Sequence, residues 1–215
     1  MLKERRRQEE VAAFNFRIEQ DRNNSQRITR IIVMRDTIAK SLIAAMIPNE
    51  RPQVFGSATF RLTIGKTPDL TTVHPHFEFP APYFKRPPDS PDEPTPFRPL
   101  TGFSYMYVEY FTNVYSWSRS NPISNESAVV TLIAMQANTR DLEMRSVDPP
   151  IKLFKQFDLY SNAICMYWDR FAPNTAGGEW STKGVMNDGD SCITTHLSDI
   201  AVFMDGTIPS GHALV

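Results

Sequence analysis

The residues of this 215-residue chain best suited to bond-making chemistry are His196, Leu197 and Ser198. A serine hydroxyl is a weak nucleophile at neutral pH because its proton must leave as it attacks. A neutral imidazole two residues earlier can take that proton if the chain bends back on itself. Ser198 Oγ would then attack the Leu197 carbonyl, an N-to-O acyl shift giving an ester that water opens, and a strained turn would raise the energy of that peptide bond. The same three residues would also suit a plain turn in a chain that never cuts. Cys165 and Cys192 are too few for a zinc site built mainly from thiolates and fit no Cys-x-x-Cys pattern, so one disulfide and two free thiols are both open. His74-Pro-His76 offers two imidazoles, but the intervening proline and the lack of clustered carboxylates favour a loop pair. No metal site and no cofactor is expected. Asn23-Asn-Ser and Asn125-Glu-Ser are glycosylation acceptor patterns.

The elements that must position these residues follow from period and composition. Residues 1–30 hold eight Lys or Arg and five Asp or Glu with little apolar content, and the first 25 are expected to extend the helix that follows as a solvated helix or a frayed tail. From Ile28 onward, Ile28, Ile31, Ile32, Arg35, Ile38, Ala39, Leu42 and Met46 fall at near-helical spacing, which predicts a helix with one buried face ending before Pro48. From Val54 to Ile64 the chain turns β-branched and aromatic, and Gly65-Lys66-Thr67-Pro68 reads as the turn that closes a strand. Nine of the 17 prolines lie between His74 and Pro99, which predicts a long exposed loop. Runs beginning at Tyr105, Ala128, Ile151, Ile164 and Ile200 give five more strands at short intervals with no helices between them. The expected fold is mainly β, an antiparallel β-sandwich with an N-terminal helix. Ile200 to Met204 is apolar on both alternating faces, so that strand belongs in the interior of a sheet.

Composition narrows the function. With 41% hydrophobic and 11% aromatic residues the chain can pack a sizeable core, and a net charge of -1 argues against nucleic acid as a partner. No run of 18 apolar residues occurs, and the first ten residues lack the apolar centre of a signal peptide. A disulfide and glycosylation acceptors would nevertheless suit an exported chain, so a fragment lacking signal peptide and transmembrane helix is expected.

Read from Pro149, the chain gives Cys165-Met-Tyr-Trp168, then Trp180-Ser-Thr-Lys-Gly184-Val185, then Cys192-Ile-Thr194-Thr-His196-Leu197-Ser198 and an apolar strand. This order and spacing resembles the GPS motif, the proteolysis site ending a GAIN domain, the module that precedes the first membrane helix in adhesion receptors and polycystin-1-like proteins. Tyr115-Ser-Trp117, Asn121-Pro122 and Ile151-Lys-Leu-Phe are similar to the polycystin-1-like strands leading into that site. The resemblance spans roughly residues 105–206 and divides the chain into an N-terminal helical segment, 1–50, and a GAIN-like sandwich, 51–215, with the GPS motif at 149–206. It implies His196, Leu197 and Ser198 as the catalytic residues, a Cys165–Cys192 disulfide, and Trp168, Trp180 and Gly184 as structural core beside that bridge. Such a bridge would close a loop of about 28 residues and contribute roughly 3–4 kcal/mol. Val185 and Thr194 stand where the family carries its other bonded cysteine pair, so one bridge is absent as a unit. The resemblance further implies the extracellular face of a membrane, ciliary in the polycystin case. The implied partners are the chain's own C-terminal strand after cleavage and a polycystin-2-type channel or other ciliary-surface protein. The alternatives are a non-cleaving structural or partner-binding module of a ciliary or cell-surface assembly, and a sandwich unrelated to the family.

Overall fold

A computed structural model describes residues 2–68, 75–79, 102–118, 128–136, 150–153, 163–172, 177–189 and 191–204. The Pro-rich stretch from 80, His74 and Asn125 lie outside the described residues. Helix α1 (Leu2–Ala45) comes first, followed by β1 (Gln53–Gly56), β2 (Phe60–Thr67), β3 (Phe77–Glu78), β4 (Phe103–Tyr110) and β5 (Val129–Gln136). Then come β6 (Ile151–Leu153), β7 (Ala163–Asp169), β8 (Glu179–Ser181), β9 (Val185–Asp188), β10 (Ser191–Thr194) and β11 (Asp199–Met204). They form a seven-stranded sheet in the order β1-β2-β4-β5-β11-β7-β8 and a four-stranded sheet in the order β3-β6-β10-β9, and every pairing is antiparallel.

Alternation along the strands divides the interior into two layers. Phe103, Tyr105 and Tyr107 of β4, with Ile200 and Val202 of β11, meet Phe77, Ile151 and Leu153 of the smaller sheet. The intervening positions, Met106, Val108, Ala201 and Phe203, point the other way and meet Ile32, Ala39 and Ile43 of α1 and Met46 just after it. The larger sheet is thus covered on both faces, which explains why β4 and β11 read as continuous apolar runs. Only the second half of α1 contributes to this core; Val11, Phe14 and Phe16 are exposed. The last turn of the helix holds no basic residue of its own, and Lys66 of β2 supplies one, donating to the Met46 carbonyl at 2.6 Å.

Two expectations change. The run from Val54 to Ile64 is two strands rather than one. The reversal falls at Ser57, whose hydroxyl accepts from the Thr59 and Phe60 amides, both at 3.2 Å. Gly65-Lys66-Thr67 is not a turn but the end of β2. A Cβ on Gly65 would fall 2.6 Å from the Tyr105 hydroxyl, so glycine here makes room for a cross-strand aromatic ring.

Candidate functional site

Strand β10 lies in the small sheet and β11 in the large one, so residues 195–198 must carry the chain from one layer to the other. Thr194 bends this crossing: its hydroxyl donates to the His196 carbonyl at 2.7 Å and accepts the His196 amide at 3.2 Å. On the other side, the Thr195 amide donates to the Gly184 carbonyl at 2.8 Å. Gly184 has φ +77, and a Cβ there would meet Thr195 Oγ1 at 2.5 Å and His196 Nδ1 at 3.2 Å. Glycine is therefore required both by the backbone and by the approach of the imidazole. Gly184 is a partly buried turn residue under His196 and does not pack in the core.

His196 is half-buried, with its ring edge-to-face on Tyr167 at 4.3 Å between centroids. Burial pushes its pKa below the ordinary imidazole value, with Asp169 only partly opposing this, which favours the neutral ring. His196 Nε2 and Ser198 Oγ are both buried, and neither has a hydrogen-bond partner among the described residues. Leu197 packs its side chain against the layer between the sheets. The crossing thus carries an imidazole and an uncommitted hydroxyl on either side of Leu197.

The Cys165–Cys192 disulfide is formed and ties β7 of the large sheet to β10 of the small one, two residues before Thr194. Beside it the Asn187 side chain donates to the Ala163 carbonyl and accepts the Cys165 amide at 2.8 Å, a second link between the sheets. Val185 and Thr194 are direct cross-strand partners on β9 and β10, both buried. The flanking Thr195–Gly184 hydrogen bond makes theirs the non-hydrogen-bonded kind of pair, in which side chains lie closest. The two positions where the resemblance lacks a bridge are therefore apposed.

Trp168 and Trp180 are 3% exposed but do not adjoin the disulfide. Trp168 shares β7 with Cys165 three residues on, which turns it to the opposite face, under α1. There it stacks on Tyr115 at 4.2 Å and meets Trp180 edge-to-face at 5.5 Å. His76 stacks on Tyr107 at 4.5 Å, and no cluster able to hold a metal occurs among the described residues. Asn23 lies exposed on α1.

Sequence reading missed Asp199, the residue after Ser198. Its carboxylate is 2% exposed and accepts from the Tyr115 hydroxyl, the Thr131 hydroxyl and Arg170 Nη2, the last at 2.9 Å. Burial alone would push its pKa up, yet Arg170, Arg35 of α1 and the two hydroxyls together hold it below the ordinary carboxylate range. The available signal was a charge at the head of an otherwise apolar strand. Arg35 itself donates to Asp36 at 2.8 Å and to the Tyr110 hydroxyl at 2.6 Å.

Over residues 71–207, well over half of the chain, the sequence matches the family described as GPS: GAIN subdomain B. The chain belongs to the GAIN subdomain B family. No curated protein matches it at a significant level. The family match covers every strand of this GAIN module from β3 to β11, and so the whole of the 195–198 crossing, whereas α1, β1 and β2 precede it. No helix among the described residues is long and apolar enough to cross a membrane.

Proposed function

We propose that this GAIN module belongs to a polycystin-1-like membrane or ciliary-surface protein, on its extracellular face, and cleaves itself between Leu197 and Ser198. The observation that carries this is the crossing at 195–198, where His196 Nε2 and Ser198 Oγ, on either side of Leu197, are both buried with no hydrogen-bond partner among the described residues. His196 takes the Ser198 hydroxyl proton as Oγ bonds to the Leu197 carbonyl carbon. The carbon–nitrogen bond then breaks, with that proton passing to the Ser198 nitrogen, and an ester is left. Water attacks the ester, returning a proton to Oγ and leaving Leu197 with a carboxylate. The new chain start at Ser198 heads β11, which is hydrogen-bonded between β5 and β7, so the pieces stay associated. The disulfide supports an oxidising, extracellular setting.

One observation favours a non-cleaving structural or partner-binding module instead: His196 and Ser198 are not hydrogen-bonded to each other. The partner in either case is proposed by family resemblance, a polycystin-2-type channel. Denaturing electrophoresis with mass spectrometry of the purified chain decides between the readings. Cleavage gives pieces of 197 and 18 residues by this numbering, and Ser198→Ala gives neither. A single intact mass after prolonged incubation favours the non-cleaving module.

A further inference from the structure

Strand β11 poses a register problem. Ile200, Ala201, Val202 and Phe203 are all apolar and all buried, because the sheet is covered on both faces. A one-residue slip, which moves every side chain of a strand to the opposite face, is opposed wherever one face is polar, but here apolar residues would replace apolar ones on both sides. The hydrophobic pattern therefore specifies the alignment of β11 only weakly. The single polar side chain buried on the strand is Asp199, and its three donors come from three separate segments: Thr131 on β5, Tyr115 in the turn after β4, and Arg170 after β7. Thr131 is also the Cα partner of Asp199, so one oxygen of the carboxylate is bonded to the residue directly opposite it. Two further residues on α1, Arg35 and Asp36, contribute to the field around this carboxylate from the helix side.

We propose that the Asp199 carboxylate is the register lock of β11: it fixes which residues of the strand face β5 and β7, and thereby holds Ser198 at a set place at the layer crossing. A slip of one or two residues would carry the carboxylate away from all three donors and leave it buried without partners, which a low-dielectric interior strongly penalises. A leucine at 199 would fill space but would not distinguish one alignment from the next. The lock matters most when the covalent link to β10 no longer fixes the start of the strand, and that consequence rests on the cleavage proposed above. The register role itself does not depend on cleavage.

The test compares Asp199→Asn, which keeps the shape, and Asp199→Leu/Arg170→Leu, which removes the carboxylate together with its charged partner, with Val108→Ala, a core truncation in β4. The two readouts are amide hydrogen exchange and cross-strand nuclear Overhauser contacts. The expected result is at least a ten-fold loss of exchange protection over residues 199–203 in both Asp199 variants, with β2 and β4 unchanged. In the double variant the Ile200–Val130 and Ala201–Val129 contacts should be lost or doubled. Val108→Ala should instead lower protection across both regions together. Native contacts as a single set, with protection in 199–203 falling only in step with β4, overturn the lock. If the wild-type chain is cut, the 18-residue piece should leave the Asp199 variants at least ten-fold faster. Release at the wild-type rate counts against the lock, whereas an uncut wild-type chain overturns the cleavage reading and leaves the exchange test to decide this one.

Discussion

At the scale of single residues, His196 is governed by burial rather than by a charged neighbour. Its folded-state pKa lies below the unfolded value of about 6.5, so the unfolded chain binds the extra proton first as pH falls. Stability is therefore expected to be highest above that value and to decline as pH drops from about 6.5 towards the folded pKa. The same shift keeps the ring in its basic form at mildly acidic pH. Cutting at Leu197–Ser198 should thus rise with pH and reach a plateau with a midpoint below about 6.5, followed by the appearance of the smaller piece over time. His196→Ala should slow it by roughly 100- to 10,000-fold and remove the titration. A midpoint near 8 would point to a different base. Gly184 belongs to the same argument, since its φ of +77 and the imidazole 3.2 Å from a notional Cβ leave no room for a side chain. Gly184→Ala should destabilise the fold by about 1–3 kcal/mol and move His196, so cutting should fall further than in a core variant of equal melting temperature. Equal rates in the two variants would show that the imidazole is not held by this turn.

At the scale of elements, β9 and β10 offer a direct test of the missing bridge. Val185 and Thr194 are opposed as a non-hydrogen-bonded pair, in which Cα atoms lie about 4.5 Å apart, at the short end of disulfide geometry. Val185→Cys with Thr194→Cys should therefore form a second disulfide, seen as the loss of two free thiols by mass, without rearranging Cys165–Cys192. The replacement also removes the hydroxyl that bends the turn at His196, so cutting reports whether the bridge or the Thr194 hydrogen bonds position it better. Legibility differed between elements for physical reasons. Strands β4, β5, β7 and β11 were plain in the sequence because both faces are largely buried and most of their side chains are apolar. Strands β8, β9 and β10 have three or four residues each, too few to show a period, and β9 exposes Met186, Asn187 and Asp188. Gly65 misled as a turn signal because its role, clearance for Tyr105, depends on a strand 40 residues away. The turn at His196 was legible from residue types and family resemblance. Its support by Gly184 and Thr194, and the burial of Asp199, depend on contacts that no local pattern encodes.

At the scale of the whole molecule, the two sheets share an apolar layer and are tied by the Cys165–Cys192 disulfide and Asn187, while α1 meets the large sheet through an apolar interface and the Arg35–Tyr110 hydrogen bond. Ile43 of α1 is fully buried in the same cluster as Trp168, Trp180 and Phe203, so the helix shares its core with β7, β8 and β11. Truncating a fully buried isoleucine costs about 2–5 kcal/mol, because transfer energy and packing are lost together. If the second half of α1 is integral to the sandwich, Ile43→Ala should lower one common melting transition, with the helical far-ultraviolet signal and tryptophan fluorescence falling together. The exposed first half contributes little burial, so Phe14→Ala should leave that transition within about 0.5 kcal/mol of the wild type. An appendage folding on its own would behave differently: Ile43→Ala would melt the helix early while the tryptophans stayed packed at the wild-type temperature. Because Phe203 and Asp199 of β11 face the same layer, a common transition would also mean that the helix helps to retain the C-terminal strand. In a cut chain, Ile43→Ala should then release the piece beginning at Ser198 faster than the wild type does, while Phe14→Ala should not.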